Sequence, residues 1–246
     1  MYLNSGLNLK NFMKLNLLSV ISTEYDLDFI PHFEDYYSKY DIDEWHIILH
    51  GKNKQQIKKG YEKFNKEINF YTWEDTFLSS VKIGKFNEII SSLEGYVLLA
   101  DADEFHEFKE SPKNLIKQYN FIGTILKDRF ANNFSLNSIE PDINLFLQFP
   151  LKNDFSNEQI GAWNFKPVLF SSDFKLINSH QVEKNGFIKD YKNVHMIETA
   201  HFKWTSNRKN KTIERYNLYL KANREGHAVN FEESAKILKL IYNIEV

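Results

Sequence analysis

Asp101, Asp103 and Glu104 follow directly behind the apolar run Tyr96-Val97-Leu98-Leu99-Ala100. Carboxylates are hard oxygen donors, and Mg²⁺ or Mn²⁺ held by one or two of them keeps coordination positions open for substrate phosphates. Asp-x-Asp alone is a weak signal, because the chain contains it three times, at Asp26-Leu27-Asp28, Asp41-Ile42-Asp43 and Asp101-Ala102-Asp103. The first opens a helical pattern, where acids favour the macrodipole, and the second lies in a polar turn. The third ends an apolar segment of the kind that forms a central parallel strand. Ligands in open α/β sheets collect beyond the carboxyl ends of such strands. A solvated strand end is the structural alternative.

The elements needed to place that acid pair can be read around it. Leu15 to Ser22 predicts a first strand, and Leu27, Ile30, Phe33, Tyr36, Tyr37 and Tyr40 follow at helical spacing, with Pro31 tolerable only in the first turn. Trp45 to Leu49 predicts a second strand, Asn53 to Lys66 a polar helix, Ile68 to Trp73 a third strand and Phe77 to Leu93 a further helix. The fourth strand ends at Asp101. Strands alternating with helices in this way make a doubly wound, mostly parallel sheet the natural architecture. Ser111 and Pro112 resemble a helix start, and Phe121 to Ala131 returns as a strand.

Residues 132 to 162 are rich in Asn and carry Pro141 and Pro150, which predicts long loops over an open cleft. Lys166 to Phe170 and Met196 to Trp204 can each supply a strand. Asn230 with Glu233 resembles a capping box ahead of a helix whose Ala235, Leu238 and Ile241 share a face. The expected organisation is an extension over 1–14 and one domain over 15–246. That domain divides into a nucleotide-side half at 15–110, an acceptor-side half at 111–229 and a C-terminal helix at 230–246.

At 246 residues one hydrophobic core is the default, and 42% hydrophobic residues with 21 Phe and 13 Tyr fit a folded globular chain. A net charge of -2 argues against a general nucleic-acid binder. The chain has no cysteine, which removes disulfides, thiolate metal sites and thiol nucleophiles and fits a reducing cytoplasmic location. No stretch approaches the roughly 20 apolar residues that span a bilayer, and Met1 to Lys14 lacks an apolar signal core. No Gly-x-Gly-x-x-Gly follows the first strand and no Gly-Lys-Ser/Thr loop occurs, so the dinucleotide-fold and P-loop readings lose their main support. Phosphate has to be held some other way.

Val97 to Phe105, reading Val-Leu-Leu-Ala-Asp-Ala-Asp-Glu-Phe, resembles the metal motif of family 2-like glycosyltransferases of the GT-A fold, in the subgroup with Asp-x-Asp-Glu-Phe. Lys127-Asp128-Arg129-Phe130-Ala131, Gln148-Phe149-Pro150-Leu151, Lys166-Pro167-Val168-Leu169-Phe170 and His201-Phe202-Lys203-Trp204 resemble the subgroup's successive blocks. The chain departs from the pattern at Asn178-Ser179, where a Gly usually precedes the histidine, and at Asn132-Asn133, where a Gly is common.

The resemblance implies transfer of a sugar from a nucleotide diphosphate sugar, with a UDP-sugar favoured, to a saccharide or glycolipid acceptor in cell-surface glycan synthesis. It also implies Mn²⁺ or Mg²⁺ as Lewis acid for the leaving diphosphate. The location would be cytoplasmic, with peripheral association at the inner membrane face. Asp103 would ligate the metal, Asp101 would act through water or touch the ribose, and His201 would complete the shell. His180 is the rival ligand or an acceptor contact.

Asp128 could take the acceptor proton, or form an ion pair with Arg129 or a lysine. Glu104 could orient the acceptor or buttress the metal loop. Ser22, Thr23, Glu24 and Asp75 are candidate contacts to base and ribose, with a helix cap as the alternative for Thr23. Lys82 and Lys85 could face the diphosphate or solvent. Arg129 and Lys203 are candidate substrate contacts, and Trp204 could stack on a sugar or be buried.

A haloacid-dehalogenase-like phosphatase also places Asp-x-Asp after an apolar strand, but there the motif stands near the start of the chain, without three strands before it. A sugar nucleotidyltransferase would need a glycine-rich basic loop after Ser22, which is missing. A saccharide-binding module that has lost catalysis is the non-enzymatic alternative.

Overall fold

Every residue of β1 (Leu15–Ser22) is buried, as expected of a strand with neighbours on both edges and cover on both faces. With β2 (Glu44–His50), β3 (Asn69–Trp73) and β4 (Tyr96–Leu99) it forms a parallel array in the order β3-β2-β1-β4. The connecting helices are α1 (Ile30–Ser38), α2 (Lys54–Tyr61) and α3 (Ser79–Ile90). Pro31 falls in the first turn of α1. Asn53 caps α2 by accepting the Gln56 N–H at 3.0 Å, and this helix stops at Tyr61, short of the predicted Lys66. The computed structural model describes residues 14–225 and 231–245. Residues 1–13 of the expected N-terminal extension and Asn230 of the expected cap lie outside the described residues.

The alternation of strand side chains divides the core between two faces. Leu18, Val20, Ile48, Val97 and Leu99 meet Ile83, Phe86, Ile89 and Ile90 of α3. Each such side chain contributes roughly 1.5–3 kcal/mol by leaving water. Trp45, of opposite parity to Ile48, meets Phe33 of α1 edge-on at 6.2 Å. Helices therefore cover both faces, as the doubly wound pattern predicts.

The remaining strands are β5 (Glu104–Glu107), β6 (Phe121–Phe130), β7 (Leu151–Asn153), β8 (Phe165–Ser171), β9 (Lys175–Asn178), β10 (Gln181–Lys184), β11 (Phe187–Ile188) and β12 (His195–His201). The large sheet runs β3-β2-β1-β4-β8-β6-β12-β5, with β8 antiparallel to both β4 and β6. Pro167 sits inside β8, where a proline weakens a ladder. It lies opposite Gly123 at a register shift between Ile122 and Gly123, which absorbs the missing donor. A separate three-stranded sheet, β11-β10-β9, turns at Asn185 and Gly186, both with positive φ of 54° and 79°, the geometry of a tight hairpin.

The chain divides into two units. The first holds residues up to 126 together with 165–199, and the second holds 127–164 and the residues from 200 onward. The short helix α4 (Pro112–Leu115) belongs to the first, with Pro112 at its start and no side-chain cap from Ser111. The second contains α5 (Leu145–Gln148), β7, α6 (Arg208–Arg224) and α7 (Glu232–Tyr242). Its core gathers Phe130, Ile160, Trp204 and Ile237. The region expected to be long loops thus includes a short helix and a strand that pairs with residues 128–130 of β6. The predicted last strand ends at His201, three residues before Trp204. No helix among the described residues is long and apolar enough to cross a membrane.

Candidate functional site

Asp101 to Glu104 form a turn between β4 and β5, closed by the Glu104 N–H donating to the Asp101 carbonyl at 3.0 Å. Three tyrosines of the α1 region pin the strand that follows. Tyr37 donates to the Glu104 carbonyl at 2.8 Å, while Tyr36 and Tyr40 donate to the His106 carbonyl at 2.7 and 3.1 Å. His106 is fully buried, its Nε2–H donating to the Leu99 carbonyl at 2.9 Å and its Nδ1 facing the Thr199 hydroxyl at 2.7 Å. Burial pushes this imidazole down to about 3, so it stays neutral at ordinary pH. The acid turn therefore stands on a strand fixed from both sides.

Two lysines reach Asp101 from different elements. Lys82 of α3 donates to Oδ1 at 2.5 Å, and Lys166 of β8 donates to Oδ2 at 2.9 Å. Lys166 also donates to Glu104 Oε1 at 2.5 Å, and Glu104 Oε2 accepts the Asp101 N–H at 3.3 Å. Burial opposes the charge on Asp101, but Lys166 and Lys82 outweigh it and hold the carboxyl well below the usual range. Burial likewise opposes the Lys166 charge, and Asp101 and Glu104 reverse that and raise it. Glu104 is 3% exposed, so it acts as the buttress of the turn. Asp103 is half-buried and close enough for its charge to oppose that of Asp101.

The candidate donor-side residues gather at the ends of β1, β2 and β3. Thr23 is 3% exposed and gives both its N–H and its hydroxyl to the His50 carbonyl, at 2.8 and 3.0 Å. It ties two strand ends together, and the helix-cap alternative does not hold. Ser22 donates its N–H to Asp26 at 3.0 Å, and Glu24 accepts from Lys52 at 2.8 Å. Asp75 is exposed and its carbonyl accepts from His50 Nε2 at 2.9 Å. Lys82 donates to Asp101, whereas Lys85 lies over the Trp73 ring at 5.9 Å. His180 donates Nδ1–H to the Phe165 carbonyl at 2.7 Å, and its own carbonyl accepts from Tyr191 at 2.7 Å.

In the second unit Asp128 is 2% exposed. Its Oδ2 accepts the Ser156 N–H at 2.6 Å, and its Oδ1 accepts the Ser156 hydroxyl at 3.0 Å and faces His201 Nδ1 at 3.4 Å. Burial works against the charge, but the His201 contact, the Lys203 charge and the Ser156 N–H hold the carboxyl down at about 2. Of the ion-pair partners offered for it, Arg129 or a lysine, Lys203 contributes its charge. Arg129 lies over the Phe146 ring at 5.1 Å, and Lys203 over Trp204 at 5.1 Å. Trp204 is fully buried, stacked on Phe130 at 5.6 Å and edge-on to Phe155 at 5.2 Å. It has no face to offer a sugar, which corrects the expectation of a stacking platform.

Sequence reasoning missed Lys166, His50 and Ser156 as partners of these groups. Lys166 carried a readable signal, because a lysine in an otherwise apolar strand is a charge that burial makes costly unless it is paired. His50 and Ser156 carried none, since their roles come from distant backbone groups.

The strand order and the acid turn after β4 define a mixed α/β fold that is GT-A-like in its doubly wound half. No protein-family model and no curated protein matches the chain. Among solved structures it is similar to HddC from Yersinia pseudotuberculosis, at 9% identity over 82% of this chain and 99% of that one, with a TM-score of 0.40. TarS 1-349 of S. aureus in complex with UDP-GlcNAc is similar at 10% identity over 92% and 73%, also with a TM-score of 0.40. The 4-diphosphocytidyl-2C-methyl-D-erythritol synthase from Anaerococcus prevotii shows 12% identity over 87% and 99%, with the same TM-score. Likeness at this level bears on neither activity nor ligand.

Proposed function

We propose that this protein is a metal-dependent glycosyltransferase that moves a sugar from a nucleotide diphosphate sugar, a UDP-sugar above all, to a saccharide or glycolipid acceptor. The observation that carries the reading is the acid turn Asp101–Asp103 directly beyond the carboxyl end of β4, beside the ends of parallel strands β1, β2 and β3. Open α/β sheets bind their ligands at that edge. Oxygen donors in a chain without cysteine fit a hard cation, Mn²⁺ or Mg²⁺.

Asp103 is the residue assigned to hold the cation, because Lys82 and Lys166 occupy both carboxylate oxygens of Asp101. When bound, the cation supplies Lewis-acid stabilisation to the departing diphosphate. Ser22, Glu24 and Asp75 are assigned to the nucleoside, and Thr23 positions them by holding the ends of β1 and β2 together. In the second unit Asp128 is assigned to orient through Nδ1 the ring of His201, the histidine to which the sequence resemblance gives a ligand role. A carboxylate behind a histidine fixes its tautomer and orientation in this way.

A thermal-shift screen of nucleoside diphosphates and nucleotide sugars, each with and without Mn²⁺, tests the reading, since ligands of the folded state raise its apparent stability. The expected result is a Tm rise with one nucleotide class that depends on Mn²⁺, followed by metal-dependent release of the nucleoside diphosphate from the matching sugar donor. Tight saccharide binding without turnover of any donor would instead identify a binding module.

A further inference from the structure

Asp101 and Glu104 face two ammonium groups, Lys82 and Lys166, and the four charges cancel. The lysine side chains are only 10% and 8% exposed, so solvent does little to screen them. Lys166 reaches the turn from β8, on the far side of β4 from β1, and Lys82 from α3, so the arrangement is built by tertiary structure and not by neighbouring residues. A free divalent cation arriving here can ligate Asp101 or Glu104 only by displacing an ammonium group from it. Close like charges disfavour such binding strongly where dielectric screening is poor.

We propose that Lys166 and Lys82 make the acid turn a poor site for a free divalent cation and a good one for a cation that arrives with a diphosphate. The proposal rests on the metal-dependent reading above and adds an order to it. A diphosphate would bring its own negative charge to the cation and would accept hydrogen bonds from the same ammonium groups. Lys166 and Lys82 are thus positioning residues that couple two ligands. Because coupling is reciprocal, the cation and the diphosphate should strengthen each other's binding by the same factor. The two lysines also answer how phosphate is held in a chain that has neither glycine-rich phosphate loop.

The test measures Mn²⁺ affinity by the electron paramagnetic resonance signal of the free ion, with and without UDP, in the wild type and in Lys166→Met, Lys82→Met and Lys166→Arg. Thermal melts check that each variant is folded. Wild type should bind Mn²⁺ weakly alone and at least about tenfold more tightly with UDP. Lys166→Met frees Asp101 Oδ2 and Glu104 Oε1, so it should bind Mn²⁺ alone about tenfold more tightly than wild type and lose most of the UDP effect. Lys166→Arg keeps the charge and should stay weak.

Lys82→Met frees Asp101 Oδ1 and should move in the same direction as Lys166→Met by a smaller factor, and it decides the matter if Lys166→Met does not fold. Folded methionine variants that bind Mn²⁺ no more tightly than wild type would overturn the proposal while leaving the metal reading intact. Absence of Mn²⁺ binding in wild type even with UDP would overturn both.

Discussion

Asp128 Oδ1 and His201 Nδ1 stand 3.4 Å apart in the second unit, with Ser156 holding both carboxylate oxygens through its N–H and its hydroxyl. The pair joins a residue of β6 to the last residue of β12, and the carboxylate is held ionised at about 2. An acid so committed is a poor proton acceptor near neutral pH. It is well suited to fixing the orientation of a histidine.

Asp128→Ala should lower stability by about 3 kcal/mol, because it strips the Ser156 N–H and the His201 ring of a buried acceptor. Asp128→Asn keeps the shape and should cost less, while weakening the hold on the His201 tautomer. Urea denaturation measures the first effect, and ¹⁵N chemical shifts of the imidazole report the second. An alanine variant as stable as wild type would show that the pair is incidental.

Asp103→Ala should abolish metal-supported turnover while leaving the thermal midpoint close to wild type, since this half-buried side chain is not part of the core. Turnover at different Mn²⁺ concentrations, set beside a melting curve, checks both halves. Unchanged activity would remove Asp103 from the metal site.

His106 makes stability depend on pH. Its folded value lies at about 3, below the ordinary value of 6.5. The unfolded chain therefore binds a proton that the folded chain refuses. The stabilisation is fully present above about pH 6.5 and is lost as pH falls, at about 1.4 kcal/mol per pH unit between 6 and 4. A His106→Gln variant should show a flatter profile over that range, measured by denaturant titration. A slope as steep as wild type would place the titration elsewhere.

Trp204→Ala should cost about 3–5 kcal/mol through the cavity left against Phe130 and Phe155. Trp204→Phe should cost much less. If Trp204→Ala instead stayed stable and lost only acceptor affinity, the core assignment would fail.

The strands β1 to β4 were legible because their apolar runs are short, bounded and separated by helical periodicity. The helix α6 was not, since its seventeen residues bury only Arg208, Thr212, Tyr219 and Ala222, too thin a stripe to show as a periodic pattern. β5 was hidden for another reason. Glu104-Phe105-His106-Glu107 reads as a polar tail to the acid motif, yet Glu104, Phe105 and His106 are buried because Lys166, the α1 tyrosines and Thr199 supply partners. Thr23 and Trp204 each left two readings open, and contacts with residues distant in the chain removed the helix cap for the first and showed burial for the second.

The sequence by itself determined where the acids stand, because an apolar run followed by Asp-x-Asp places carboxylates at a strand end through local patterning alone. It also determined the donor chemistry, since a chain without cysteine offers oxygen and imidazole. The tertiary structure decided which carboxylate oxygens are taken by lysines. Lys82 and Lys166 approach Asp101 across 19 and 65 residues of chain. Charge compensation depends on distance in space, and spacing along the sequence does not contain it.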